Sequence, residues 1–145
     1  MRHRAGFSLL EILLVLAIIG LLLGAGTIVL NPARRLAVAR NQQREIDLRE
    51  LESAIKQYRL VEGSYPAGIT STEREICDKS LSGSPDCDGF VDLSPLIPEQ
   101  LQAVPEDPQD DNTTDGNGYS VTLSENGVLT LRAINAELGE TIQIN

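Results

Sequence analysis

Residues 7–30 form a run of 24 residues in which Glu11 is the only charged side chain, with Ser8 and Thr27 the only other polar ones. As a helix the run spans about 36 Å, enough for a hydrocarbon core of about 30 Å with some tilt. A carboxylate inside such a helix costs roughly 2.5–3.5 kcal/mol on insertion scales, and residues of this kind mark a function or a partner. A secretory signal peptide would take Met1–Arg4 as its basic region and be cut after the small residues Gly24-Ala25-Gly26. Against it, Glu11 interrupts the apolar region, and Arg34 and Arg35 follow soon after. A plain anchor fits the length and leaves Glu11 unexplained.

Charge is unevenly distributed along the chain. Residues 1–59 hold nine Lys/Arg against five Asp/Glu, net +4, whereas residues 60–145 hold three against sixteen, net −13. An acidic outer half argues against a nucleic-acid partner, whose phosphates require basic patches. The only histidine, His3, lies in the leader. Serine-histidine or cysteine-histidine catalysis and histidine-rich metal sites are therefore poorly served, and no catalytic constellation is expected.

Gly6-Phe7-Ser8-Leu9-Leu10-Glu11, after a short basic leader and before a long apolar stretch, resembles the class III signal of type IV pilins and type II secretion pseudopilins. The resemblance implies that a prepilin peptidase cuts between Gly6 and Phe7 on the cytoplasmic side and methylates the new amino terminus of Phe7. It implies that Glu11 pairs with the amine of a neighbouring subunit during assembly. It also implies a cytoplasmic N-terminus, a C-terminal domain outside the membrane, and an inner-membrane assembly platform as partner. Arg34, Arg35, Arg40, Arg44 and Arg49 follow the run closely, so the positive-inside count alone favours the opposite orientation.

Beyond the run, Asn31-Pro32 either starts a new helix, with Asn as cap and Pro at the first position, or kinks one long helix with a membrane half and an amphipathic half. Leu48, Leu51, Ile55 and Tyr58 fall on one stripe of a helix over 31–62, with charged residues, Asp47 among them, on the opposite face. The basic stretch Arg34–Arg44 reads as a solvated helix face, with lipid head groups or acidic neighbouring surfaces as alternatives. Gly63 and Pro66 end the helix. Residues 63–118 show little periodicity and read as an αβ loop, with a short helical turn bringing Leu93, Leu96, Ile97 and Leu101 to one face. Cys77 and Cys87, the only cysteines, favour a disulfide in an exported domain over a redox or metal role. Such a bridge would contribute roughly 2–3 kcal/mol. Tyr119–Ser124, a two-residue Asn126-Gly127 hairpin, Val128–Ile134 and Thr141–Ile144 predict three antiparallel strands in the 119–145 segment.

The loop 107–119 admits two interpretations. It is a solvated, turn-rich loop, or it offers Asp107, Asp110, Asp111 and Asp115 as calcium ligands. Asp111-x-Thr113-x-Asp115-Gly116 imitates the start of an EF-hand loop, but Thr122 stands where the bidentate Glu belongs. Val104-Pro105-x-Asp107-Pro108 resembles a segment of major pseudopilins, some of which bind calcium nearby. No other cofactor is expected. The expected architecture is α+β. A leader (1–6) precedes a membrane and assembly helix (7–30), an amphipathic helix (31–62) and a small sheet of about three strands. The expected function is a structural subunit, not an enzyme: copies of the chain, anchored in lipid, bundle their helices into a type IV pilus-like surface filament. A secretion pseudopilin and a single-pass membrane-anchored binding domain are the alternatives.

Overall fold

A computed structural model describes residues 7–29, 31–77, 87–110 and 115–145, with side chains of 25–29 excepted. The chain forms two compact units, Met1–Leu36 and Ala37–Asn145. In the first, helix α1 runs Leu9–Val29. Its described side chains, Leu9 to Gly24, are apolar on every side apart from Glu11, and they are exposed. Among the described residues no helix is long and apolar enough to cross a membrane.

Helix α2 spans Pro32–Glu62. Asn31 caps it, its Oδ1 accepting the Arg34 N–H at 3.3 Å and its carbonyl the Arg35 N–H at 3.3 Å. Gly63, at φ +76°, closes the other end by donating its N–H to the Arg59 carbonyl at 2.9 Å. Both ends therefore lie where the sequence places them. The buried face of α2 in the second unit carries Ala37, Asn41, Arg44, Leu48, Leu51, Ile55 and half-buried Tyr58. These alternate at steps of four and three, a continuous stripe. Its upper half is polar and its lower half apolar.

The lower half packs on a four-stranded antiparallel sheet ordered β1-β2-β3-β4. The strands are β1 Arg74–Cys77, β2 Gly116–Leu123, β3 Leu129–Ala133 and β4 Gln143–Ile144. Tyr119, Val121 and Leu123 oppose Ala133, Leu131 and Leu129, so period-2 alternation sends all six to the core face. Ile76, Val91, Leu93, Leu96 and Leu101 complete the core beside Leu48, Leu51, Ala54 and Ile55.

Three expectations need correction. A fourth strand, β1, lies inside the segment read as loop; its four residues, charged at Arg74 and Glu75 and buried at Ile76 and Cys77, give no alternation to detect. Its register on β2 shifts between Glu75 and Cys77, and the Cys77 N–H donates to the Val91 carbonyl at 2.9 Å. The hairpin is not a two-residue turn. Ser124 donates its N–H to the Val128 carbonyl, and of the intervening residues only Gly127 has positive φ, so Asn126 does not meet the two-residue requirement. Ile97 is exposed, while Leu93, Leu96 and Leu101 are buried around a 3-10 turn at Ser94–Leu96. The expected Cys77–Cys87 disulfide is present, Cα to Cα 5.5 Å, and ties β1 to the segment carrying Val91.

The upper half of the stripe overturns the solvated-face reading of Arg44 and Asp47. Arg44 and Asp107 side chains are both fully buried and paired, Nε to Oδ2 at 2.7 Å and Nη2 to Oδ1 at 2.9 Å. Nη1 donates to Asn41 Oδ1 at 2.8 Å and Glu137 Oε2 at 3.1 Å, and Nη2 also donates to Gln109 Oε1 at 3.0 Å. All five guanidinium N–H groups thus have acceptors, which is the condition for burying this charge. Asp47 accepts from Tyr119 Oη at 2.6 Å and from Gln43 at 2.7 Å. Burial, then the Asp47 carboxylate, push the Tyr119 phenol above its ordinary range and keep it a donor.

Removing one partner of a buried pair strands the other charge, at about 3–5 kcal/mol. Arg44→Leu should therefore lower unfolding free energy by about that amount in denaturant titrations, and adding Asp107→Leu should recover a large part of the loss. The second prediction concerns Glu137. Arg40 bonds, followed by those of Arg44, lower its pKa from 4.5 to about 2. Between those values the unfolded chain binds the proton more readily, so acidification destabilises the fold. The support is complete above about pH 4.5 and fades as pH falls toward 2. Glu137→Gln should flatten the acid limb of the stability curve in that window and leave its neutral slope unchanged.

Candidate processing and assembly site

The site begins at the N-terminal edge of α1. Phe7 and Ser8 precede the helix, and the Ser8 carbonyl accepts the Glu11 N–H at 3.0 Å and the Ile12 N–H at 3.2 Å. Leu9, Leu10, Ile12 and Leu13 are strong helix formers or well tolerated, so the turn forms directly after Ser8. Glu11 sits in this first turn, where unpaired N–H groups carry partial positive charge. That placement offsets part of the desolvation a carboxylate meets in an apolar setting. Phe7 is 79% exposed, and the alternation of Leu9, Leu10, Leu13 and Leu14 leaves no polar side to the helix. Burying each leucine is worth roughly 1.5–3 kcal/mol, so the surface favours lipid or other helices over water. Glu11 lies four positions after Phe7, about 6 Å at the helical rise of 1.5 Å per residue. Gly6, the other side of the expected cleavage bond, lies outside the described residues.

The arrangement is one carboxylate, four positions after Phe7, on an otherwise apolar helix, suited to charge pairing and hydrophobic association. A proteolytic cut at Phe7 would place an amine on the rod one helical turn from Glu11. Two rods displaced by that turn would bring amine and carboxylate to one level.

The acidic loop is organised differently from the expected calcium set. Asp107 points into the domain, both carboxylate oxygens engaged by Arg44, and its Oδ1 also accepts the Gln109 N–H at 2.8 Å. Asp110 and Asp115 are half-buried, while Asp111 lies outside the described residues. Among the described residues no group of three or more His, Cys, Asp or Glu is placed to hold a metal ion. What surrounds Asp107 is instead a close-packed backbone. The Asp107 N–H donates to the Asn117 carbonyl at 3.0 Å, and Asn117 Nδ2 reaches the Pro105 carbonyl at 2.9 Å. A Cβ at Gly118, whose φ is +83°, would lie 2.6 Å from Asp107 Cβ. Glycine is required there on both counts. The sequence signal that identifies Arg44 is its phase: it falls in step with Leu48 and Leu51 on the buried stripe.

Comparison with known proteins bears on the N-terminal edge. Residues 1–27 match the family described as the prokaryotic N-terminal methylation motif. No curated protein and no solved structure matches the chain. The matched segment contains Gly6, Phe7 and Glu11 and ends within α1. At its N-terminus the chain therefore carries the prepilin signal of type IV pilins and pseudopilins.

Proposed function

We propose that the protein is the precursor of a structural subunit of a type IV pilus-like filament. It is anchored by the apolar segment 7–30, with the leader in the cytoplasm and the sheet-bearing unit outside. Prepilin peptidase cuts between Gly6 and Phe7 and methylates the Phe7 amine. The inner-membrane assembly platform then draws subunits from lipid into a bundle of α1 helices. The observation that carries this reading is a coincidence of two features. The segment matching the methylation motif runs into α1, whose described side chains are apolar on all sides apart from one carboxylate in the first turn. Glu11 supplies the counter-charge for the Phe7 amine of a neighbour displaced by about 6 Å. In a low-dielectric bundle such a pair is far stronger than at a surface, and either charge alone is costly.

For a lone subunit in lipid the carboxylate only opposes insertion. Glu11→Leu should therefore reach the membrane at the parent's level, be cut after Gly6, and yield few or no filaments when it is the sole subunit expressed. Immunoblots of membranes and electron microscopy of sheared surface fractions read the two halves. Filaments at the parent's abundance would contradict the role given to Glu11.

A further inference from the structure

We propose that the second unit docks end to end on another copy of itself. A groove at the C-terminal end of α2 receives the Ile134–Glu140 loop of the second copy, Leu138 in the groove and Glu140 against Arg59. The proposal rests on the filament reading and adds the contact between its outer units.

The groove, about 670 Å³, is lined by Lys56, Arg59, Leu60, Tyr65, Val128 and Leu129 among others. Its apolar rim is open, with Leu60 84% exposed and followed by exposed Val61. Five of the described cations in this unit already have carboxylate partners. Arg40 and Arg44 hold Glu137, Arg49 holds Glu45, Lys56 holds Glu52, and Arg132 holds Glu73. Arg59 instead stacks on the Tyr65 ring at 4.6 Å and donates to Tyr65 Oη at 2.8 Å. Among the described residues no carboxylate pairs with it. The groove therefore presents apolar surface beside an available cation, in a unit whose remaining surface is strongly acidic.

The complementary surface lies on the same unit. Asn41 clamps the loop by accepting the Glu137 N–H at 3.0 Å and donating to the Glu137 carbonyl at 3.0 Å. Beyond the clamp, Leu138 is held at φ +61° with its side chain half in solvent, near exposed Ile134. Glu140 Oε2 accepts a neutral amide from Asn41 at 2.9 Å, and no ion pair reaches it among the described residues. An apolar residue beside an uncompensated carboxylate matches an apolar groove beside an uncompensated guanidinium. The loop is anchored at Asn41 and the groove at Arg59, 18 residues along α2, about 27 Å at 1.5 Å per residue. Two different patches about 27 Å apart along one helix make a heterologous contact. Such a contact does not close on itself and propagates as a line of copies.

The test uses the full-length chain in cells that have the peptidase. A chain carrying both Leu60→Cys and Leu138→Cys, mildly oxidised on intact cells, should give a ladder of dimers, trimers and higher species on non-reducing gels. Neither single variant should cross-link. In that background Arg59→Glu or Glu140→Arg alone should reduce the ladder by about tenfold or more, because like charges then face each other. The two together should restore it. Mapping the Cys77–Cys87 bridge in every variant separates loss of docking from loss of folding. Dimers from either single variant, or charge reversals that fail to rescue each other, would overturn the contact. Filaments without a ladder would overturn it and leave the filament reading standing; a parent chain that makes no filaments would overturn both.

Discussion

The buried pair between Arg44 and Asp107 sets the arrangement of everything above the apolar core. A guanidinium with no exposed surface needs every N–H satisfied, so five acceptors must converge on one point of α2. They come from three places in the chain: Asn41 on the helix, Asp107 and Gln109 from the loop before β2, and Glu137 from the loop after β3. Each acceptor is in turn held by a backbone that can approach closely. Gly118 lets β2 pass beside Asp107, and Asn117 bonds both Pro105 and the Tyr119 N–H. Buried ion pairs are weak contributors to net stability compared with apolar packing, and strong penalties against wrong arrangements. Here the penalty fixes which loops cover the polar half of the helix face.

The same constraint separates what the sequence made legible from what it did not. Leu48, Leu51, Ile55 and Tyr58 declare their face by spacing, and Asn31 and Gly63 declare the helix ends by their cap chemistry. The last three strands announce themselves by alternation around Tyr119, Leu131 and Ile142. β1 does not, because a four-residue edge with a register shift carries almost no period. Arg44 was hidden by its chemistry. A charged residue is ordinarily solvated, and only its phase with the leucines, together with a partner 63 residues away, turns it inward. Asp107 was hidden for the reverse reason: it sits among several carboxylates that resemble a loop for cations, while its true cation comes from the helix. At the N-terminus the legibility is local. Gly6, Phe7 and Glu11 are informative because they fall together within a few residues, inside the segment that matches the methylation motif.

The two units divide the physical work. The first contains α1, whose described side chains are apolar apart from one carboxylate and so suit lipid and other apolar helices. The second is a small core of aliphatic side chains whose sheet and loops are tied by the Cys77–Cys87 bridge and by the Arg44 network. Its acidity keeps most of its surface from associating with like surfaces, and so gives weight to the few places where charge is uncompensated. In the proposed reading the chain is a precursor until the leader is removed, since an amine at Phe7 that could answer Glu11 would exist only after the cut.

Intact-mass and terminal-peptide mass spectrometry of the protein from cells that have the peptidase therefore tests the central claim most directly. The account predicts a mature chain that begins at Phe7, carries one added methyl group on its amine, and lacks residues 1–6. A chain that still begins at Met1 in those cells, or one that begins at Thr27, would contradict it.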